Sequence, residues 1–195
     1  MRKRRWFSAL IFAISAVLAV ATIAVADDGG KHRFKADTLT GYQEATTLGP
    51  ISTTGSGSFE ATLNSEGTEI SYTLTYRDLE GVLVTDGVVT AAHIHFGQRG
   101  VSGGVIAFLC GGGGKPACPA SPGTVSGTIN AANIVGPAGQ GIEAGSFAEA
   151  VRALRAGMVY ANVHTTRWPS GEIRGQVNDR DQRDDDDDDD EDDDD

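Results

Sequence analysis

Short runs of strictly alternating apolar and polar residues, separated by glycine-rich breaks, are what most limit the folds open to this chain. Successive side chains of a strand point to opposite faces, so a period of two places one face on a core and the other on a polar surface. Ser58–Asn64 alternates with Phe59, Ala61 and Leu63 on one side, and Glu69–Tyr76 with Ile70, Tyr72, Leu74 and Tyr76. Asn64-Ser65-Glu66-Gly67 between them has turn chemistry, so the two runs read as a hairpin. His32–Leu39 reads as a first strand with Phe34 inward, and the turn-rich stretch Gly41–Gly55 as a loop. Val82–Val89, broken by Asp86-Gly87, reads as a loop with at most a short strand. Gly103–Cys110 is apolar throughout and suits a central strand. Gly123–Ala131 alternates again, with Val125, Gly127 and Ile129 on one side.

One helix is predicted. Phe147, Val151 and Leu154 recur at helical spacing within Ser146–Arg155, with Ser146 placed to cap the start and Gly157 to follow the end. Seven to eight short strands with 26 glycines for their turns then predict a mainly β fold. The expected architecture is an antiparallel, Greek-key-like β-sandwich with one short amphipathic helix packed on an edge or end of the sheets.

Two stretches carry the chemistry. In Ala91–Gly97, Ala92, Ile94 and Phe96 share one face, and His93 and His95 the other. In Gly157–Thr165, Val159, Ala161 and Val163 oppose Tyr160, Asn162 and His164. A turn through Trp168-Pro169 leads to Gly171–Val177, where Ile173 and Val177 oppose Glu172, Arg174 and Gln176. If the last two runs pair as a hairpin, residues whose numbers total 336 lie opposite each other, placing Asn162 against Arg174 and His164 against Glu172.

His-Ile-His-Phe-Gly at 93–97, Gly103-Gly104-Val105-Ile106, Tyr160-Ala161-Asn162-Val163-His164-Thr165 and Gly171-Glu172-Ile173-Arg174-Gly175-Gln176 together resemble the CHRD domain. That module takes its name from the vertebrate secreted protein chordin and is also found singly in exported bacterial proteins. The resemblance runs from about Phe34 to Val177. It implies an extracellular β-rich module and no established enzymatic activity.

The termini are expected to lie outside the domain. Arg2-Lys3-Arg4-Arg5, an apolar run from Trp6 to Val25 and Ala24-Val25-Ala26 have the form of a signal peptide over residues 1–26, cleaved before Asp27. The competing reading is an uncleaved anchor, since the apolar run is ~20 residues, enough to span a bilayer. After cleavage no transmembrane segment is expected, and the protein is secreted or periplasmic. Residues 27–31 read as a linker, 32–178 as the domain and 179–195 as a disordered acidic tail. The chain carries 16 basic and 27 acidic residues, but Asp184–Asp195 is acidic throughout and accounts for most of the imbalance. With no basic patch to replace phosphate counterions, nucleic acid is disfavoured as a partner.

Cys110 and Cys118 flank a glycine-rich segment. In an exported chain the pair reads as a disulfide, with a metal or redox pair as the alternative. The polar faces also admit two readings. In the first, His93, His95, Asn162, His164, Glu172, Arg174 and Gln176 form a hydrogen-bonded network or binding face, with no cofactor. In the second, His93, His95 and His164 ligate zinc or copper, and Glu172 either joins them or fixes the His164 tautomer. Tyr160 and Trp168 are candidate exposed aromatics beside this face, with Trp168 folding back over the hairpin end as the alternative. No nucleophile elbow accompanies the histidines, so no catalytic residue is assigned. The expected function is a non-enzymatic exported module binding an extracellular protein or surface polymer. The alternative is a metalloprotein with a redox or metal-carrier role.

Overall fold

The computed structural model describes residues 32–80 and 88–179. The expected signal peptide, the linker and the acidic tail beyond Asp179 lie outside the described residues, as does most of Val82–Val89.

Eight antiparallel strands form one sheet: β1 (Arg33–Thr40), β2 (Ser56–Leu63), β3 (Ile70–Arg77), β4 (Val89–Phe96), β5 (Val105–Cys110), β6 (Gly123–Ile129), β7 (Val159–Thr165) and β8 (Ile173–Asp179). Their spatial order is β5-β4-β7-β8-β1-β2-β3-β6. Three hairpin-like neighbours, β1-β2-β3, continue into β6, while β7 returns after a long excursion to lie beside β4. The expected mainly β, antiparallel architecture is therefore present. Its strands belong to one continuous sheet, which curls nearly closed instead of splitting into two. The curl brings Tyr72 of β3 to the far edge, where its hydroxyl donates to the Leu109 carbonyl of β5 at 2.8 Å.

Curling explains the core. Phe34, Leu39, Phe59, Leu74, Ile94, Ile106, Val163 and Val177, drawn from seven strands, all enter one apolar cluster. Fully burying each such side chain contributes roughly 1.5–3 kcal/mol.

Gly103–Cys110 was expected to supply a central strand, but β5 is an edge of the sheet. Its apolar sequence has another cause. The segment after β6 covers it: Val135 donates its N–H to the Ile106 carbonyl, and Ile134 and Ile142 join the core. The helix α1 (Phe147–Arg155) buries Phe147, Ala150, Val151 and Leu154 and approaches β8. Ser146 does not cap it through its side chain. The C-terminal end closes as the sequence indicates: Gly157 takes φ 65°, and Met158 N–H reaches back to Ala153 O.

Cys110 and Cys118 are joined in a disulfide. By loop-closure entropy it contributes about 2–3 kcal/mol. The loop it closes also packs inward, with Gly112 and Gly113 so close to the Phe108 ring that a Cβ on either would strike it. Among the described residues no helix is long and apolar enough to cross a membrane.

Candidate metal centre

The register of β4 on β7 sets His93 opposite Asn162, His95 opposite Tyr160, and Ala91 opposite His164. His93 and His164 are thus diagonal neighbours on one face, a separation that ring side chains bridge. His93 Nδ1 lies 3.0 Å from His164 Nε2. One ring nitrogen from each of His93, His95 and His164 falls within 4.8 Å of the others.

The rings are held from behind. His95 Nδ1 is 3.0 Å from the Gly103 carbonyl and His164 Nδ1 is 3.0 Å from the Pro169 carbonyl. A carbonyl only accepts, so both Nδ1 atoms carry the proton and both Nε2 atoms present lone pairs. His93 then donates its Nδ1–H to His164 Nε2, leaving its own Nε2 as a lone pair. Nε2 of His93 and of His95 are buried with no hydrogen-bond partner. Buried nitrogens whose lone pairs meet no donor cost free energy, about 1–3 kcal/mol each.

The electrostatics favour neutral imidazoles. Burial pushes His93 down to about 3, helped by the His164 and His95 rings. Burial pushes His95 down to about 4, against its bond to Gly103. His164 is also lowered by burial, against its bond to Pro169. Neutral imidazole is the ligating form.

Aromatic walls enclose the cluster. Phe108 stands edge-on to His93 at 4.4 Å, and Tyr160 stacks flat on His95 at 4.8 Å. Arg174 lies over the other part of this wall, its guanidinium 3.4 Å from the Tyr160 ring centre. Tyr160 is therefore buried rather than an exposed aromatic, at 4 % exposure. Trp168 is half-buried at the turn, with Arg167 over its ring.

The other polar residues of the hairpin hold loops in place. Arg174 donates to the carbonyls of Gln98 and Val101, and Gln176 to those of Gly97 and Gly157. Together they pin the segment that carries Gly103. Asn162 donates to Ile173 O and to Glu44 Oε1. The hairpin register is the expected one, with Asn162 opposite Arg174 and Val163 opposite Ile173.

Glu172 departs from the strand-parity expectation. It precedes β8, in the turn, and its carboxylate accepts from Thr53, Thr165 and the Glu80 N–H. The Pro169 carbonyl takes the orienting role that parity assigned to Glu172.

Glu44 is the residue that sequence reasoning missed. It lies in the turn-rich Gly41–Gly55 stretch, where no periodicity marks a buried position, yet it is only 6 % exposed. Burial pushes its carboxyl up to about 7, against the lowering effects of Asn162 and Arg174. A folded pKa above the ordinary 4.5 means that Glu44 supports the fold fully below pH 4.5, and that this support is lost as pH rises through about 7. Relative to wild type, Glu44→Gln should gain on the order of 2–3 kcal/mol between about pH 4 and pH 8. Urea unfolding of both proteins across that range checks this; parallel curves would refute it.

A family model of the CHRD domain matches residues 36–177. This chain belongs to the CHRD family. The match takes in β2 to β7 whole, most of β1 and β8, and every residue of the histidine cluster. No curated protein and no solved structure matches the chain.

Proposed function

We propose that this CHRD module is a non-enzymatic, exported metal-binding protein that holds one copper or zinc ion between His93, His95 and His164. The observation that carries this reading is the pair of backbone anchors, Gly103 O and Pro169 O, which turn the Nε2 lone pairs of His95 and His164 into the cluster. A ligating histidine commonly donates its remote N–H to a carbonyl in this way. Three neutral, buried imidazoles are a donor set that suits zinc or copper. The bound ion would supply an electrophilic centre for His93 Nε2 and His95 Nε2, which otherwise lack a partner, and would take the His164 Nε2 lone pair in place of the His93 Nδ1–H. Membership of the CHRD family suggests a non-enzymatic β module and agrees with a carrier or structural role for the ion.

The same arrangement also meets the network description in part, since Arg174 and Gln176 bond backbone carbonyls. These bonds lie outside the ring cluster and act as its support. Recognition of an extracellular protein or surface polymer rests on a separate feature. A groove between Thr46–Ser52 and Arg167–Gly171 is lined by Trp168 and by Leu48, which is 94 % exposed.

Metal analysis of the full, untagged chain after dialysis against zinc or copper tests the proposal. One equivalent should remain, and it should be lost from His93→Ala/His95→Ala, which keeps the acidic run Asp184–Asp195 unchanged. At an ion excess of 100 times Kd the wild type should gain about 2.7 kcal/mol of stability and the double variant none. Equal metal content and equal stabilisation in the two proteins would defeat this reading.

A further inference from the structure

We propose that the centre is built for a monovalent ion, Cu(I), and that Arg174 sets this preference over divalent ions. The inference rests on the three-histidine reading and names the ion that the reading leaves open.

Charge is the first argument. Among the described residues the cluster of ligating side chains consists of three histidines, all neutral donors. Nothing within that set offsets the charge of an ion placed there. The fixed charge stacked against it is positive. The Arg174 guanidinium lies 3.4 Å from the centre of Tyr160, and Tyr160 lies parallel to His95 with centres 4.8 Å apart. Two carbonyls, Gln98 O and Val101 O, at 2.9 and 3.0 Å, hold the guanidinium there. Its repulsion of a bound ion doubles when the ion's charge goes from one to two. Burial widens the contrast further, because the cost of desolvating an ion grows with the square of its charge. Glu44 lies in the field of Arg174, but burial keeps its carboxyl about half protonated near neutral pH, so the offset is partial.

Coordination number is the second argument. A zinc ion on three protein ligands takes a water or substrate in a fourth position. Here Nε2 of His93 and of His95 are out of reach of solvent, behind Phe108 and Tyr160. Cu(I) is content with two or three nitrogen donors, and so needs no water route.

The preference can be read by competition on the full, metal-free chain. Cu(I), kept reduced by ascorbate without oxygen, is titrated against bicinchoninate, and Zn(II) against a chromophoric chelator. Wild type should hold Cu(I) at least about a hundredfold more tightly than Zn(II). Arg174→Lys keeps the charge and should keep that ratio to within about threefold. Arg174→Gln, or Arg174→Met if the first does not fold, should narrow it on the order of tenfold by tightening Zn(II). Near-UV circular dichroism verifies the fold of each. Zn(II) bound as tightly as Cu(I) by the wild type, and lost with His93→Ala/His95→Ala, would overturn the Cu(I) preference and leave the three-histidine centre standing. An unchanged ratio in a folded neutral variant would overturn the role of Arg174. If wild type binds neither ion beyond what the double-histidine variant retains, the centre itself fails.

Discussion

Glu172→Ala is expected to lower the unfolding free energy by about 3–5 kcal/mol, more than truncation of most core side chains of this size. Glu172 is fully buried, and its two oxygens accept three hydrogen bonds. Thr53 Oγ1 and the Glu80 N–H reach Oε1 at 2.8 and 2.6 Å, and Thr165 Oγ1 reaches Oε2 at 2.8 Å. These donors come from three separate parts of the chain. Alanine leaves the buried Thr165 hydroxyl and the half-buried Thr53 hydroxyl and Glu80 N–H without this acceptor, and a buried group so left costs about 1–3 kcal/mol. Glu172→Gln retains the shape and one acceptor, so it should lose roughly half as much. Denaturant unfolding of the two variants measures the difference. A loss below about 1 kcal/mol for alanine would mean that water replaces the carboxylate at no cost. Because the cluster of ligating side chains consists of His93, His95 and His164 without Glu172, metal affinity in the folded fraction should stay close to wild type.

Gly103→Ala should do both kinds of damage at once, costing about 2–3 kcal/mol of stability and ten- to a hundredfold in metal affinity. A Cβ at this position would collide with the Phe96 carbonyl, so backbone must move. That backbone is the anchor of the site. Gly103 O accepts from His95 Nδ1, and Gly103 N–H donates to the Tyr160 hydroxyl at 3.1 Å. Gly100, in the same loop, provides the comparison. A Cβ there meets nothing, although its φ of 74° makes alanine strained. Gly100→Ala should therefore cost about 1 kcal/mol and leave metal affinity intact. Thermal melts with and without copper separate the two effects. Equal metal affinity in Gly103→Ala and wild type would show that His95 needs no carbonyl to hold its orientation.

Much of this protein is determined by its sequence alone, because strand periodicity and hairpin register are local properties. Alternation in Ser58–Leu63 and Ile70–Tyr76 allows only one face of each run to be buried, and these became β2 and β3 in the expected pairing. The turn length between Val163 and Ile173 leaves one register that keeps Val159, Val163, Ile173 and Val177 on the core side, and it is the register observed. The pairing of Cys110 with Cys118 was legible for the same reason: a short, glycine-rich loop brings the two together without help from elsewhere. Parity also set His93 and His95 on the face shared by Asn162 and His164. What lies over that face was decided by tertiary structure. Both faces of β7 are buried, because the loops carrying Glu44 and Gly103 fold across it from distant parts of the chain and the adjoining turn carrying Pro169 closes over its end. No period marks such loops, so neither the buried Glu44 nor the two anchoring carbonyls could be read in advance. Parity also ends where the strand ends, which is why Glu172, just before β8, gives its carboxylate to Thr53, Thr165 and the Glu80 N–H. The apolar run of β5 shows the same limit: burial on two faces can come from sheet neighbours or from a covering segment, and hydrophobicity reports the burial without naming which.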